Sequence, residues 1–179
     1  MHIAEVRKEL RELVGSEKII WSAKPKKEAF IFKGFAGLIP GLFILGFAFF
    51  WETLAFKAGA PIPILLFGGL FMLIGFLITL GSPIYAALVY KNILYLMTDT
   101  RLIIQKGVVG IDYDIVRLSE IQNVNVNVGL IDKIFGTGTH MVYTAAYTRP
   151  LILRAIENPY ENCRILREAV EKAVKSKET

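Results

Sequence analysis

The sequence predicts a membrane protein of the α+β class, in which a two-helix transmembrane hairpin precedes an antiparallel β-barrel or sandwich capped by a C-terminal α-helix. Three observations support this fold class. Residues 34–51 and 58–90 contain no charged side chain. After residue 90, apolar and polar residues alternate with the period of two that is typical of strands. The last twenty residues return to helical spacing.

The overall composition excludes two broad classes of protein. Of the 179 residues, 54% are hydrophobic and 21% are charged, with a mean hydropathy of +0.47. This apolar fraction is too high for a disordered chain and too unevenly distributed for a purely soluble domain. The net charge of +5 does not come from basic clusters that alternate with aromatic residues, so we expect no nucleic-acid partner.

The two charge-free runs predict helices at about residues 34–51 and 61–80. Lys33 and Glu52 flank the first run, and Gly81, Ser82 and Pro83 are expected to end the second. No ionisable residue is expected inside either span. Basic and aromatic side chains favour the membrane interface, and the predicted anchors there are Lys33, Trp51, Tyr85 and Tyr90.

Basic residues are distributed unequally around these helices. The first 33 residues contain eight Lys and Arg and residues 91–179 contain twelve, whereas the short loop between the helices contains only Lys57. The positive-inside rule therefore predicts a multi-pass protein of the cell membrane with both termini in the cytoplasm. The expected domains are 1–29, with an amphipathic helix and a short strand, the hairpin at 30–90, and the cytoplasmic domain at 91–179.

The N-terminal helix carries Ile3, Val6, Leu10 and Leu13 on one face. We expect this face to pack on the cytoplasmic domain, with binding to the lipid surface as the alternative. In the membrane hairpin, Gly37 and Gly41 form a small-xxx-small pair. This pair is expected to serve packing within the hairpin, with oligomerisation as the alternative.

The cytoplasmic domain is expected to contain six or more short strands. The predicted strands lie at 92–99, 101–107, 109–115, 124–128, 139–144 and 151–156, with Asp99 binding the amides of the first turn. A short helical turn is expected at 130–135, after which Gly136 and Gly138 permit close backbone approach. Asn158 and Pro159 mark the start of the final helix, on whose apolar stripe Cys163 is expected to be a core thiol.

Several segments in this order resemble the bacterial and archaeal PH-like membrane proteins of the DUF304 or YdbS-like group. The matching segments are IIWSAKP at 19–25, YLMTDTRLIIQKG at 95–107, LSEIQNVNV at 118–126, GLIDKIFGTGT at 129–139 and ENP at 157–159. The resemblance covers roughly residues 17–175. It implies a membrane hairpin that is followed in the sequence by a PH-like domain. It does not imply a catalysed reaction, because the group has no established shared activity.

The residue types do not favour an enzyme. The two histidines, His2 and His140, and the lone Cys163 offer no metal site, and GTGT at 136–139 lacks the remaining residues of a nucleotide-binding loop. Asp112 and Asp114 share a strand face and could bind a cation, although solvated surface carboxylates are commoner. We therefore expect no catalytic residue, metal or cofactor.

Three functions remain open at this stage. The first is an interaction module that binds a protein partner or self-associates at the cytoplasmic face of the bilayer. The second is binding of anionic lipid head groups, and the third is an accessory subunit of a transporter or exporter. The candidate residues for lipid or partner binding are Lys91, Arg101, Lys106 and Arg149.

Overall fold

The computed structural model describes residues 8–178, which divide into two compact units. One unit combines the chain up to Lys26 with the chain from Asn92 onward, and the other is the segment Lys27–Lys91. The N-terminal segment therefore shares a unit with the β-rich part of the chain. We call the first unit the β unit and the second the helical hairpin.

The first sheet of the β unit has four antiparallel strands in the order β1-β2-β3-β4. These strands are β1 (Ile19–Ala23), β2 (Leu94–Thr98), β3 (Arg101–Lys106) and β4 (Asp112–Arg117). Helix α1 (Lys8–Val14) covers one face, where Leu10 and the partly buried Leu13 pack near Leu96 and Ile103. This confirms the predicted packing for Leu10 and Leu13, whereas Ile3 and Val6 lie outside the described residues.

The second sheet has three antiparallel strands in the order β5-β6-β7. They are β5 (Ile121–Asn127), β6 (Thr137–Thr144) and β7 (Leu151–Glu157), with the short helix α5 (Leu130–Phe135) between β5 and β6. Helix α6 (Pro159–Glu178) packs against this sheet, and its Cys163 and Leu166 are buried, as the apolar stripe predicts.

Hydrogen bonds between distant residues connect the two sheets. The buried Tyr95 hydroxyl on β2 accepts from the Arg154 amide on β7 at 2.8 Å, and burial raises the pKa of this phenol. Trp21 on β1 donates its Nε1 proton to Asn162 on α6 at 2.7 Å. These bonds hold the sheets together without a continuous strand ladder, so the β unit is not a closed barrel.

The strand directions give the β unit two ends. At the junction end lie Lys26 and Asn92, where the chain passes to and from the helical hairpin, together with the loop 107–111, α5 and the start of α6. At the distal end lie the turn 98–101, the end of β4 and the loop 145–150. The length of β3 separates the two ends by about 17 Å.

The loop after β3 differs from the predicted strand at 109–115. Strand β4 begins only at Asp112, and the Val109 side chain is fully exposed. The cause is a tight turn that starts at Gly107, whose φ of 138° is open to glycine but strained for other residues. A methyl group on Gly107 would also overlap the carbonyl group of Gly110.

The helical hairpin consists of α2 (Lys27–Gly34), α3 (Leu38–Lys57) and α4 (Ile62–Asn92), with a 3₁₀ turn (Phe35–Gly37) between α2 and α3. Together, Lys27–Lys57 and Ile62–Asn92 are two helical segments long and apolar enough to cross a membrane. Helix α4 continues through residues 81–83, where the sequence predicts an interruption. The continued helix packs Pro83 and Ala86 against Gly34, where an added methyl group would lie 2.7 Å from the Ala86 Cβ.

The glycines of the helical hairpin separate into two groups. A methyl group on Gly37, Gly41 or Gly75 would lie 3.0 Å or less from an atom of the opposite helix. The same group on Gly46, Gly69 or Gly81 would meet no atom within 4 Å. The predicted role of Gly37 and Gly41 in packing within the hairpin is therefore confirmed.

Candidate functional site

An open groove of about 560 Å³ lies at the distal end of the β unit. The turn 98–101, the end of β4 and the last turns of α6 supply its walls. Side chains of both charges and several hydroxyl groups line it: Glu17, Asp99, Thr100, Arg101, Arg117, Ser119, Ala173 and Ser176.

The turn 98–101 positions the first basic residue of this groove. The Thr98 hydroxyl accepts hydrogen bonds from the amides of Thr100 at 3.3 Å and Arg101 at 2.9 Å. The sequence predicts this role for Asp99, but the prediction is wrong, since the Asp99 amide donates to the Lys18 carbonyl at 3.0 Å. Thr98 acts in its place because its side chain is buried under the turn, whereas Asp99 is exposed.

Arg101 is held by an acidic partner. Its guanidinium contacts both carboxylate oxygens of Glu17, at 2.7 and 3.2 Å, and donates to the Leu13 carbonyl at 3.3 Å. Burial raises the pKa of the Glu17 carboxyl, but hydrogen bonds from Arg101, Thr98 and Thr100 outweigh burial and lower it overall. The carboxylate therefore stays ionised, and Arg101 contributes little free positive charge to the groove.

Arg117 is the basic residue that the groove leaves available. It lies directly opposite Arg101 across the β3–β4 ladder, and its side chain is exposed. Among the side chains that the structure describes, Arg117 has neither an ion-pair nor a hydrogen-bond partner. No sequence motif indicates Arg117, because only strand pairing places it beside Arg101.

The four predicted binding residues do not form one cluster. Lys106 lies at the other end of β3 from Arg101 and forms an ion pair with Asp114, one of the two aspartates considered for a cation. Arg149 lies in the exposed distal loop, and Lys91 is exposed near the end of α4 in the other unit. The concentrated basic patch that favours anionic head groups is therefore missing from these positions.

Other residues from the matching motifs have structural roles. Asp132 is buried and accepts from the Thr137 hydroxyl at 2.7 Å and from the Gly129 amide at 3.2 Å, which fixes α5. His140 is also buried, and its Nε2 donates to the Pro159 carbonyl at 2.8 Å. Burial lowers the pKa of His140 more than this hydrogen bond raises it. The imidazole is therefore neutral, and His140 has a structural role in its strand.

A second concave surface lies within the helical hairpin. It is an apolar notch of about 150 Å³, lined by Phe47, Ala48, Trp51, Phe67, Gly68 and Phe71. Beside it the Glu52 carboxylate packs against Gly68, and one of its oxygens is buried without a hydrogen-bond partner among the described residues. The sequence predicts that the helix ends before Glu52, whereas α3 extends five residues beyond Glu52, to Lys57.

The predicted interface anchors all lie on the helices of the hairpin. Tyr85 is 62% exposed on α4, and Tyr90 contacts Phe30 with their ring centroids 6.1 Å apart. Trp51 is half-exposed at the notch, and Lys33 lies near the end of α2. Their role at a membrane interface stays a prediction.

The described residues thus form an α+β protein in which two antiparallel sheets and a C-terminal helix are joined to two long apolar helices. The family model of the bacterial PH domain, bPH_2, matches residues 36–173. The chain belongs to this bacterial PH domain family, as the motifs at 95–107 and 118–139 predict.

Among solved structures, the chain is similar to a DUF1696 family protein with a pleckstrin-homology domain from Shewanella loihica PV-4. The identity is 16%, with a TM-score of 0.35, over 46% of this chain and 70% of that one. No curated protein matches the chain significantly.

Proposed function

We propose that the helical hairpin anchors the chain in the cell membrane and that the PH-like β unit binds a protein partner through its distal groove. The observation that carries this proposal is the exposed guanidinium of Arg117, which has no partner among the described side chains and lies in a groove with charges of both signs. Electrostatic complementarity of this kind selects a partner by matching its charges.

The distribution of charge favours a protein segment over an anionic head group. Glu17 and Asp99 line the groove together with Arg101 and Arg117, so its formal charge is balanced. A phosphate-bearing ligand prefers a cluster of unpaired basic groups, whereas a polypeptide can offer acidic, basic and hydroxyl groups together.

Membrane anchoring is supported by the hairpin's own surface. Large apolar side chains along α3 and α4 are exposed, among them Ile39, Phe43, Leu66 and Leu73. So many exposed apolar groups are stable only when lipid or protein covers them. The excess of basic residues in the flanking segments supports the orientation with both termini in the cytoplasm.

Reversing the charge of Arg117 tests the groove directly. We expect Arg117→Glu to reduce capture of the partner by the full chain in native membranes by about tenfold, as loss of one charged contact predicts. The measurement is quantitative crosslinking followed by purification of the tagged chain.

Arg149→Glu is the matched control, because it makes the same charge change on an exposed residue at the same end of the β unit. It should leave capture unchanged. Equal capture by the Arg117→Glu variant and the original chain would contradict the proposed binding groove. A crosslinked product that contains only copies of this chain would identify the partner as a second copy.

A further inference from the structure

The exposed apolar side chains of the β unit are concentrated at its junction end. Among the described residues of this unit, four large apolar side chains are more than 70% exposed: Val109 (101%), Leu130 (82%), Ile134 (77%) and Tyr160 (71%). The remaining exposed large apolar side chains of the unit reach at most 45%. Single exposed apolar residues are common on protein surfaces. When the most exposed ones lie together at one end, they indicate a surface that contacts another molecule or a membrane.

Hydrogen bonds to neighbouring backbone carbonyls place Val109 and α5, which carries Leu130 and Ile134, next to the points where the chain enters and leaves the helical hairpin. Lys26, the last residue before the hairpin, donates its Nζ proton to the Phe135 carbonyl at 3.1 Å, at the end of the helix that carries Leu130 and Ile134. Asn92, the last residue of α4 and the first residue of the β unit after the hairpin, donates its side-chain amide to the carbonyls of Gly107 and Val108 at 3.3 Å, beside Val109.

Helix α5 has the side-chain pattern of an interfacial segment. Leu130 and Ile134 are one turn apart and exposed, and Lys133 is exposed between them. Asp132 points inward and is satisfied by Thr137 and Gly129, so the acidic residue of this helix does not face outward. Apolar residues beside a lysine suit the boundary between acyl chains and anionic head groups.

We propose that the junction end of the β unit rests on the lipid surface, with Val109, Leu130, Ile134 and Tyr160 inserted at the interface of the bilayer. This inference rests on the proposed anchoring of the hairpin, because Lys26 and Asn92 then lie where the chain emerges from the membrane. Two covalent connections hold the unit beside the bilayer at a high effective concentration, so a few apolar side chains suffice for contact.

The two ends of the β unit then have different roles. The groove with Arg117 lies about 17 Å along β3 from the inserted residues, since β3 runs from Arg101 at one end to Lys106 at the other. The lipid contact therefore leaves the groove open toward the cytoplasm. The bilayer and the protein partner occupy different surfaces.

Fluorescence quenching in reconstituted vesicles tests this placement. The full chain carries a single engineered cysteine, Val109→Cys or Ile134→Cys, labelled with an environment-sensitive fluorophore. The native Cys163 is 5% exposed, and the unsubstituted chain gives the labelling blank. The vesicles contain phosphatidylethanolamine and phosphatidylglycerol, with or without lipids that carry a nitroxide quencher either near the head group or deep in the acyl chain.

Two matched positions provide the controls. Leu73→Cys, on the exposed surface of α4, reports whether the hairpin is in the bilayer. Tyr147→Cys, in the distal loop, reports the quenching at the end of the β unit that is expected to face away from the bilayer. Interfacial side chains lie about 5–10 Å deep, within reach of a shallow quencher. We expect Val109→Cys and Ile134→Cys to lose most of their emission and Tyr147→Cys to keep it.

Two results would overturn the proposed lipid contact. The first leaves the proposed membrane anchoring intact, and the second contradicts the anchoring as well. If Leu73→Cys is quenched by deeply placed nitroxides while Val109→Cys and Ile134→Cys behave like Tyr147→Cys, the junction end does not contact lipid and the anchoring proposal survives. If Leu73→Cys is not quenched at any depth, the anchoring proposal fails and the lipid contact fails with it.

Discussion

Replacing Gly138 by alanine is expected to raise the rate at which Cys163 reacts with a thiol reagent by about five- to 150-fold. The new methyl group would overlap the ring of Pro159, with Cβ–Cγ at 3.2 Å and a still shorter contact to the proline Cβ, and would lie 3.4 Å from Val126. The proline ring cannot rotate away, so α6 must shift. Overpacking of this kind costs about 1–3 kcal/mol.

Cys163 is a suitable probe because it is the one cysteine of the chain and is buried one turn after Pro159, with its Sγ 3.9 Å from the Val124 carbonyl. Opening of α6 from the second sheet exposes this thiol, so the labelling rate follows the free energy of opening. The matched control is Gly110→Ala, which meets no atom within 4 Å and has no positive φ. Equal labelling rates in the two variants would contradict the close contact between β6 and α6.

Replacing Gly41 by alanine is expected to destabilise the helical hairpin by a similar amount, about 1–3 kcal/mol. The added methyl group would lie 2.8 Å from the backbone nitrogen of Thr79 and 3.0 Å from its Cα. Thr79 is buried and donates its hydroxyl proton to the Gly75 carbonyl at 2.7 Å, so α4 presents a rigid backbone there. The two helices must therefore separate.

The measurement for Gly41→Ala is thermal stability. The full chain is heated in a mild detergent, and the temperature at which its monodisperse peak in size-exclusion chromatography disappears is recorded. Gly46→Ala is the control within the same helix, because a methyl group there meets no atom within 4 Å. The control should be neutral or slightly stabilising, since alanine favours the helix over glycine. If the two variants melt together and Gly41→Ala changes the oligomeric state instead, the glycine pair serves a contact between copies.

The parts of the fold that follow local periodicity could be predicted from the sequence. Residues 94–106 form the expected β-hairpin, and the motif ENP at 157–159 marks the start of α6. The strand at Val109 was predicted wrongly, because the alternation continues into a turn that the positive φ of Gly107 imposes. That the two sheets do not close into a barrel was also not foreseeable, since local sequence does not specify which strands pair with each other.

The candidate site was less accessible to prediction than the fold. Arg101 is a candidate from the sequence because it follows the membrane exit closely along the chain, but its neutralisation by Glu17 depends on a contact between residues 84 positions apart. Arg117 became a candidate only through its register opposite Arg101. The exposed apolar residues at the junction end lie beside hydrogen bonds from Lys26 and Asn92, and no sequence pattern predicts these bonds.

Digestion of the chain from outside intact cells tests the central claim most directly, because that claim is a PH-like unit held at the cytoplasmic face by a membrane hairpin. A protease added outside should leave the β unit intact and should cleave it after the membrane is permeabilised, with the loop at 58–61 as the one extracellular segment within the part of the chain that the structure describes. Cleavage within the β unit while the cells remain sealed, or recovery of the chain in the soluble fraction, would contradict the account.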